Sequence, residues 1–312
     1  MNRVLVLFLV ATAVVYIAAA AASWVARKRA PRAVTTAPPS NAAVGRAMLT
    51  AQLPGVASAI FSVVLFIALL RPSVAVTGRV GLPLALSAGA CVTAGLLMFS
   101  ALPPARPYAT GPASAEAVPL KARSLRGRWT IILPATVLTA FLALVLATGI
   151  TSATDSQGRY RILAVAGSTP TAAAIAYPGW TYGVPLMLVA IVLAGAMALA
   201  LRRIAASPSL PDPRMAALDR KWRKISTRIV ARLGTGTLLA YLGGTALMAG
   251  LAMADVGASA GGGANGPQQP LLALGITSAA VGAALGLAGV VVLVLAARDA
   301  LTIRAASRRS DS

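Results

Sequence analysis

Long apolar runs broken by short polar, basic stretches dominate the pattern of the chain. Seven segments hold no charged residue: Val4–Val25, Leu53–Leu70, Val80–Leu102, Trp129–Thr151, Val184–Leu201, Leu233–Ala254 and Leu271–Ala297. Each is near or above the roughly 18–20 residues that a helix needs to cross a hydrocarbon core. Backbone amides in lipid must be satisfied within their own segment, so these runs are expected to be helices. The predicted fold is all-α, a polytopic transmembrane bundle of seven spans arranged as one helix followed by three hairpins.

Composition supports that reading. Hydrophobic residues make up 58% of the 312 and charged residues 11%, with a mean hydropathy of +0.79. Soluble domains carry about 25% charged residues. A net charge of +21 would point to nucleic acid in a soluble protein, but here the basic residues sit between the apolar runs, where they act as topology signals. With the first span running inward, all but five of the 28 basic residues fall on the cytoplasmic side. The exceptions are Arg3, Arg71, Arg79, Arg159 and Arg161. The positive-inside rule therefore predicts an extracytoplasmic N-terminus and a cytoplasmic C-terminus. A rival reading takes Met1–Ser23 as a cleaved signal peptide. The single arginine before the run and the Arg27-Lys28-Arg29 that follows it argue instead for a retained span.

The three returning spans open alike, at Gly81-Leu82-Pro83, Gly183-Val184-Pro185 and Gln269-Pro270-Leu271. Proline in a helix's first turn forfeits no hydrogen bond. The spacings of these starts are too irregular to establish a repeat. Segments 26–52 and 103–128 read as Ala-, Pro- and Arg-rich linkers. The extracytoplasmic loop 152–183 carries a short apolar run, 162–166, that could pair as a strand. Within the loop, Asp155-Ser156-Gln157-Gly158-Arg159 reads as a turn. The glycine-rich 261–266 lacks the strand and lysine of a phosphate loop.

Candidate chemistry is sparse. The sequence has no histidine and one cysteine, Cys91, which excludes an intrachain disulfide and a thiolate metal cluster. None of the seven runs contains an acid or a base, the residues that ion-coupled transport and proton relays usually place at membrane depth. Span hydroxyls such as Thr93, Thr136, Thr139 and Thr277 are expected to bond backbone carbonyls or neighbouring helices. No catalytic residue, cofactor or metal site is assigned, and the chain is read as a non-enzyme.

Three groups of residues stand out. The stretch Tyr177-Pro-Gly-Trp-Thr-Tyr-Gly-Val-Pro185 places three rings beside the fifth span. Tyr177, Trp180 and Tyr182 are expected either to anchor at headgroup depth or, with Arg159 and Arg161, to bind an extracytoplasmic ligand. Residues 212–232 read as a separate cytoplasmic basic amphipathic helix. Asp212 and Pro213 start it, and Met215, Leu218, Trp222, Ile225 and Ile229 form its apolar face. Arg220, Lys221, Arg223, Lys224 and Arg228 are its candidate contacts to anionic inner-leaflet lipids; the alternative is that its apolar face docks a cytoplasmic or membrane protein, or the bundle itself. Finally, Gly236, Ala240 and Gly244 form a small-residue stripe, as do Gly282 and Gly286 with Gly275 on the same face. These predict close packing of the sixth span on the seventh.

The order Gly127-Arg128-Trp129, Gly158-Arg159, Tyr177–Pro185 and Leu218-Asp219-Arg220-Lys221-Trp222-Arg223 resembles multi-pass membrane proteins of unknown function common in Streptomyces and related actinobacteria. The resemblance covers roughly residues 120–300. It implies a bacterial plasma membrane and supplies no activity, substrate or catalytic residue. The expected role is that of an envelope accessory or interaction subunit. The alternative is a permease-like subunit for an uncharged or lipidic substrate, with 212–232 as its coupling helix.

Overall fold

A computed structural model describes residues 57–69, 82–101, 128–163, 177–206, 216–259 and 269–308. Among these are six helices: α1 (Ala57–Leu69), α2 (Leu82–Ala101), α3 (Arg128–Ile150), α4 (Trp180–Ala206), α5 (Ala216–Ser259) and α6 (Gln269–Arg308). A small antiparallel hairpin, β1 (Ser152–Thr154) and β2 (Tyr160–Leu163), follows α3.

Four helices are long and apolar enough to cross a membrane: Thr130–Ile150, Trp180–Ala206, Arg223–Ala258 and Gln269–Asp299. The apolar stretches Ala57–Leu69 and Ala85–Ala101 are shorter. The expected first span, Val4–Val25, lies outside the described residues. Large apolar side chains face outward along these helices, among them Ile131, Ile191, Leu287 and Val291. Water would penalise that surface and hydrocarbon would not.

α5 is the centre of the bundle, with α2, α3, α4 and α6 all packed on it. Phe141, Val145, Leu193, Ala200, Leu238 and Tyr241 fill the core. Tyr241 donates its hydroxyl to the Ala85 carbonyl at 2.8 Å, and its ring lies 5.9 Å from that of Phe141. The phenol can pass this close because Gly89 leaves room for it. Helix hydroxyls bond the preceding turn as expected, Thr93 to the Gly89 carbonyl at 2.7 Å and Thr136 to Ile132 at 2.9 Å. Such bonds spare the groups the cost of lying unpaired in an apolar medium.

Three boundaries differ from expectation. α4 begins at Trp180, so Pro185 falls inside it. The cause is Gly179, whose carbonyl accepts the amides of Tyr182 at 3.0 Å and Gly183 at 2.8 Å and so starts the helix earlier. α5 runs without interruption from Ala216 to Ser259, which overturns the separation of a surface helix at 212–232 from a span at 233–254. No proline intervenes to break it, and its apolar face continues across the junction. The expected start at Asp212 and Pro213 lies outside the described residues. Likewise α6 continues past the apolar run to Arg308.

Candidate functional site

The predicted residues gather at the two ends of the bundle and along one seam between helices. At the hairpin end, Asp155 organises the turn. Its Oδ1 accepts the amides of Gln157 and Arg159, each at 2.8 Å, and its Oδ2 accepts Arg161 Nε. Gly158 takes φ +70, the left-handed conformation that favours glycine. The strand register shifts between Ala153 and Thr154, so that Arg161 is left as a bulge opposite them. The bulge directs the Arg161 carbonyl outward from the ladder, where it accepts the Tyr177 amide at 2.9 Å. Hydrogen bonds, first that from the Arg159 amide, hold the Asp155 carboxyl below the usual carboxylate range. Asp155, with a smaller contribution from Tyr182, holds the Arg161 guanidinium above its ordinary value.

The aromatic stretch closes onto this hairpin. Tyr177 is 1% exposed and shares a hydrogen bond of 2.8 Å with Thr151; burial pushes its phenol up. It packs with Leu163, Ala249, Ala252 and Val256, which ties the loop to α5. A side chain at Gly179 would strike Ser152 Cβ at 2.5 Å. The Trp180 ring lies over Gly149, where a Cβ would meet Cε2 at 2.6 Å, and Gly183 lies against Val145. Tyr182 is buried in the main core. Tyr177 and Tyr182 therefore turn into the protein rather than toward headgroups, and only Trp180 remains half-buried at the rim. Composition signals apolar surroundings for these rings but not whether lipid or protein supplies them. Gly149 and Gly183 were missed as contact points, because single glycines beside helix ends carry no periodic signal. Arg159 and Arg161 do lie beside the rings, but the Arg161 guanidinium is engaged by Asp155.

The seam between α5 and α6 repeats every seven residues. Gly236, Gly243, Gly250 and Gly257 face Gly289, Gly282, Gly275 and Leu272 in antiparallel register. A Cβ on Gly243 would lie 2.7 Å from the Gly286 Cα, and one on Gly282 would lie 2.8 Å from the Gly243 carbonyl oxygen. Ser278 adds an interhelical bond to the Ala246 carbonyl at 3.4 Å. Gly236 and Gly282 lie in this seam, their Cβ positions closed by the facing helix. Gly244 does not belong to the seam: it faces outward, with nothing within 4 Å of its Cβ position. Gly286 contributes its backbone, while its own Cβ position is open. The relevant period is seven, that of a left-handed helix pair, rather than four. The same register continues in the sequence through Ile229 and Trp222 on α5 and Ala296 and Ile303 on α6.

At the opposite, basic end, Arg223 Nη1 donates to the Ile204 carbonyl at 3.2 Å and thereby covers the C-terminus of α4. Arg203 lies 4.7 Å over the Phe99 ring. Arg232 Nη1 pairs with Asp299 Oδ2 at 2.7 Å, joining α5 to α6 beyond their apolar stretches. Lys224 and Arg228 are exposed; Arg220 and Lys221 lie on the first turns of α5. Groups of acids, cysteines or histidines able to hold a metal do not occur among the described residues.

The fold and these sites define a helical protein with four helices able to cross a membrane, clasped at one end and basic at the other. Neither protein-family models, nor curated proteins, nor solved structures match the chain.

Proposed function

We propose that the chain is a non-enzymatic, multi-pass protein of a bacterial plasma membrane, acting as an envelope accessory or interaction subunit. In this reading it has seven spans, with the N-terminus outside and the C-terminus in the cytoplasm. The observation that carries it is the α5–α6 pair. α5 is about 66 Å long at 1.5 Å per residue, against about 30 Å of hydrocarbon. A helix pair that outlasts its apolar part, and stays joined there by Arg232 and Asp299, presents two basic helix ends to the cytoplasm. Span hydroxyls such as Thr93 and Thr136 are meanwhile bonded to backbone, and Asp155, which this reading places outside together with Asp255, is committed to a turn. The positive-inside distribution supports the orientation. Kinship with the actinobacterial proteins that the chain resembles would suit the bacterial plasma membrane, without bearing on the role.

A permease-like subunit draws less support. The segment that would serve as its separate coupling helix continues directly into a span.

Reporter fusions after Pro31 and after Arg308 test the topology; both should report cytoplasm, and periplasmic activity after Pro31 would overturn it. Purification in mild detergent, with identification of bound proteins, tests the role. A stoichiometric envelope partner without ATPase is the expected result. A co-purifying ATPase that responds to a lipidic substrate would replace this reading with the permease.

A further inference from the structure

Two contacts fix the register of α4 against α5. Gly234 packs on Met197, and Arg223 reaches the Ile204 carbonyl. Arg202 lies between Met197 and Ile204, and Arg228 lies between Arg223 and Gly234. The two antiparallel helices thus carry Arg202 and Arg228 at one level. On α6, the antiparallel register in which Gly289 faces Gly236 brings Arg298 to that level as well. All three arginines are exposed. Arg202 and Arg298 directly follow the apolar runs that end at Leu201 and Ala297.

α5 does not fold over at this level. Its hydrogen bonding continues to Ala216, and its pairing with α6 persists at least to Arg232. The helix therefore rises away from the surface. At 1.5 Å per residue Arg228 stands about 7 Å beyond Leu233, and Arg220 and Lys221 about 18–20 Å beyond it. A headgroup layer is only about 5–7 Å thick on each side.

We propose that Arg202, Arg228 and Arg298 form a collar that binds the headgroup phosphates of anionic phospholipids, and that Arg220 and Lys221 take no part in it. Guanidinium groups suit this role because their planar donors match phosphate oxygens two at a time. The proposal rests on the membrane reading above and narrows the lipid contact from the whole basic segment to one layer.

The test uses the full chain in phosphatidylcholine nanodiscs with and without phosphatidylglycerol. Thermal unfolding is followed, and native mass spectrometry counts retained lipid. Phosphatidylglycerol should raise the midpoint by several degrees and should be retained, while inorganic phosphate in the buffer should do neither. R202Q/R228Q/R298Q should lose most of the shift, and R220Q/K221Q should keep it. Should the triple variant not fold, R202Q and R298Q singly should each lose part of the shift; unchanged shifts in both overturn the collar. An equal loss in R220Q/K221Q, or a shift reproduced by free phosphate, also overturns it. Assembly into discs with no phosphatidylglycerol effect sinks the collar alone, whereas a chain that enters neither disc sinks the membrane reading with it.

Discussion

The hydroxyls of Thr151 and Tyr177 meet at 2.8 Å, 26 residues apart in sequence, and join the stretch that leads into α4 to the end of α3. The Thr151 hydroxyl also donates to the Ala147 carbonyl at 2.9 Å, so loss of the phenol leaves it bonded. Tyr177→Phe should therefore cost only about 0.5–1.5 kcal/mol. Tyr177→Ala also empties a buried site and should cost about 3–5 kcal/mol, on the scale of large aromatic truncations. Thermal unfolding in detergent measures both. Equal effects would show that packing plays no part in the clasp.

The turn should weaken in acid. The Asp155 carboxyl is held below its ordinary value, so its contribution is present above the unfolded-state value near 4 and is lost as pH falls through the lower folded-state value. Hydrogen exchange at the Gln157 and Arg159 amides should accelerate over that acid range beyond the intrinsic pH effect. Asp155→Asn should remove the dependence. An unchanged profile in the variant would refute the assignment.

Adjacent glycines should respond in opposite ways. Gly243→Ala drives a methyl into the Gly286 backbone, which cannot retreat without separating α5 from α6. Gly244→Ala meets nothing within 4 Å and gains helix propensity of up to about 1 kcal/mol. The same contrast holds between Gly282→Ala and Gly286→Ala. Unfolding midpoints should fall for Gly243 and Gly282 and stay level or rise for Gly244 and Gly286.

Trp222 should lie out of reach of the bilayer. It is eleven positions before Leu233 in an unbroken α5, about 16 Å along the axis. In a variant with the other tryptophans replaced by Phe, lipids carrying a quencher at headgroup depth should leave its fluorescence nearly unchanged. Strong quenching would mean that the segment lies on the surface after all.

Among the described residues, where helices form was legible in the sequence, because an uncharged apolar run of that length has few alternatives to a helix. The α3 run, 129–151, differs from the observed Arg128–Ile150 by a single position at each end. The turn at Asp155 was legible too, since aspartate and glycine at that spacing supply the acceptor and the left-handed residue that a tight turn needs. The continuity of α5 was not. Its basic and apolar halves look like different environments, yet the helix obeys local hydrogen bonding and not the boundary between solvents.

The sequence alone determined the class of object, the polarity of its two ends and the residue types available for close packing. Only the tertiary structure decided that Tyr177 and Tyr182 turn inward, that Gly243 rather than Gly244 meets α6, and that Arg161 is engaged by Asp155. The physical reason is common to all three. In a bundle meant for lipid, the inner and outer faces of a helix are both apolar, so the alternation that marks a core in water is absent. Shape complementarity between helices then chooses the faces, and shape exists only once the helices are placed together.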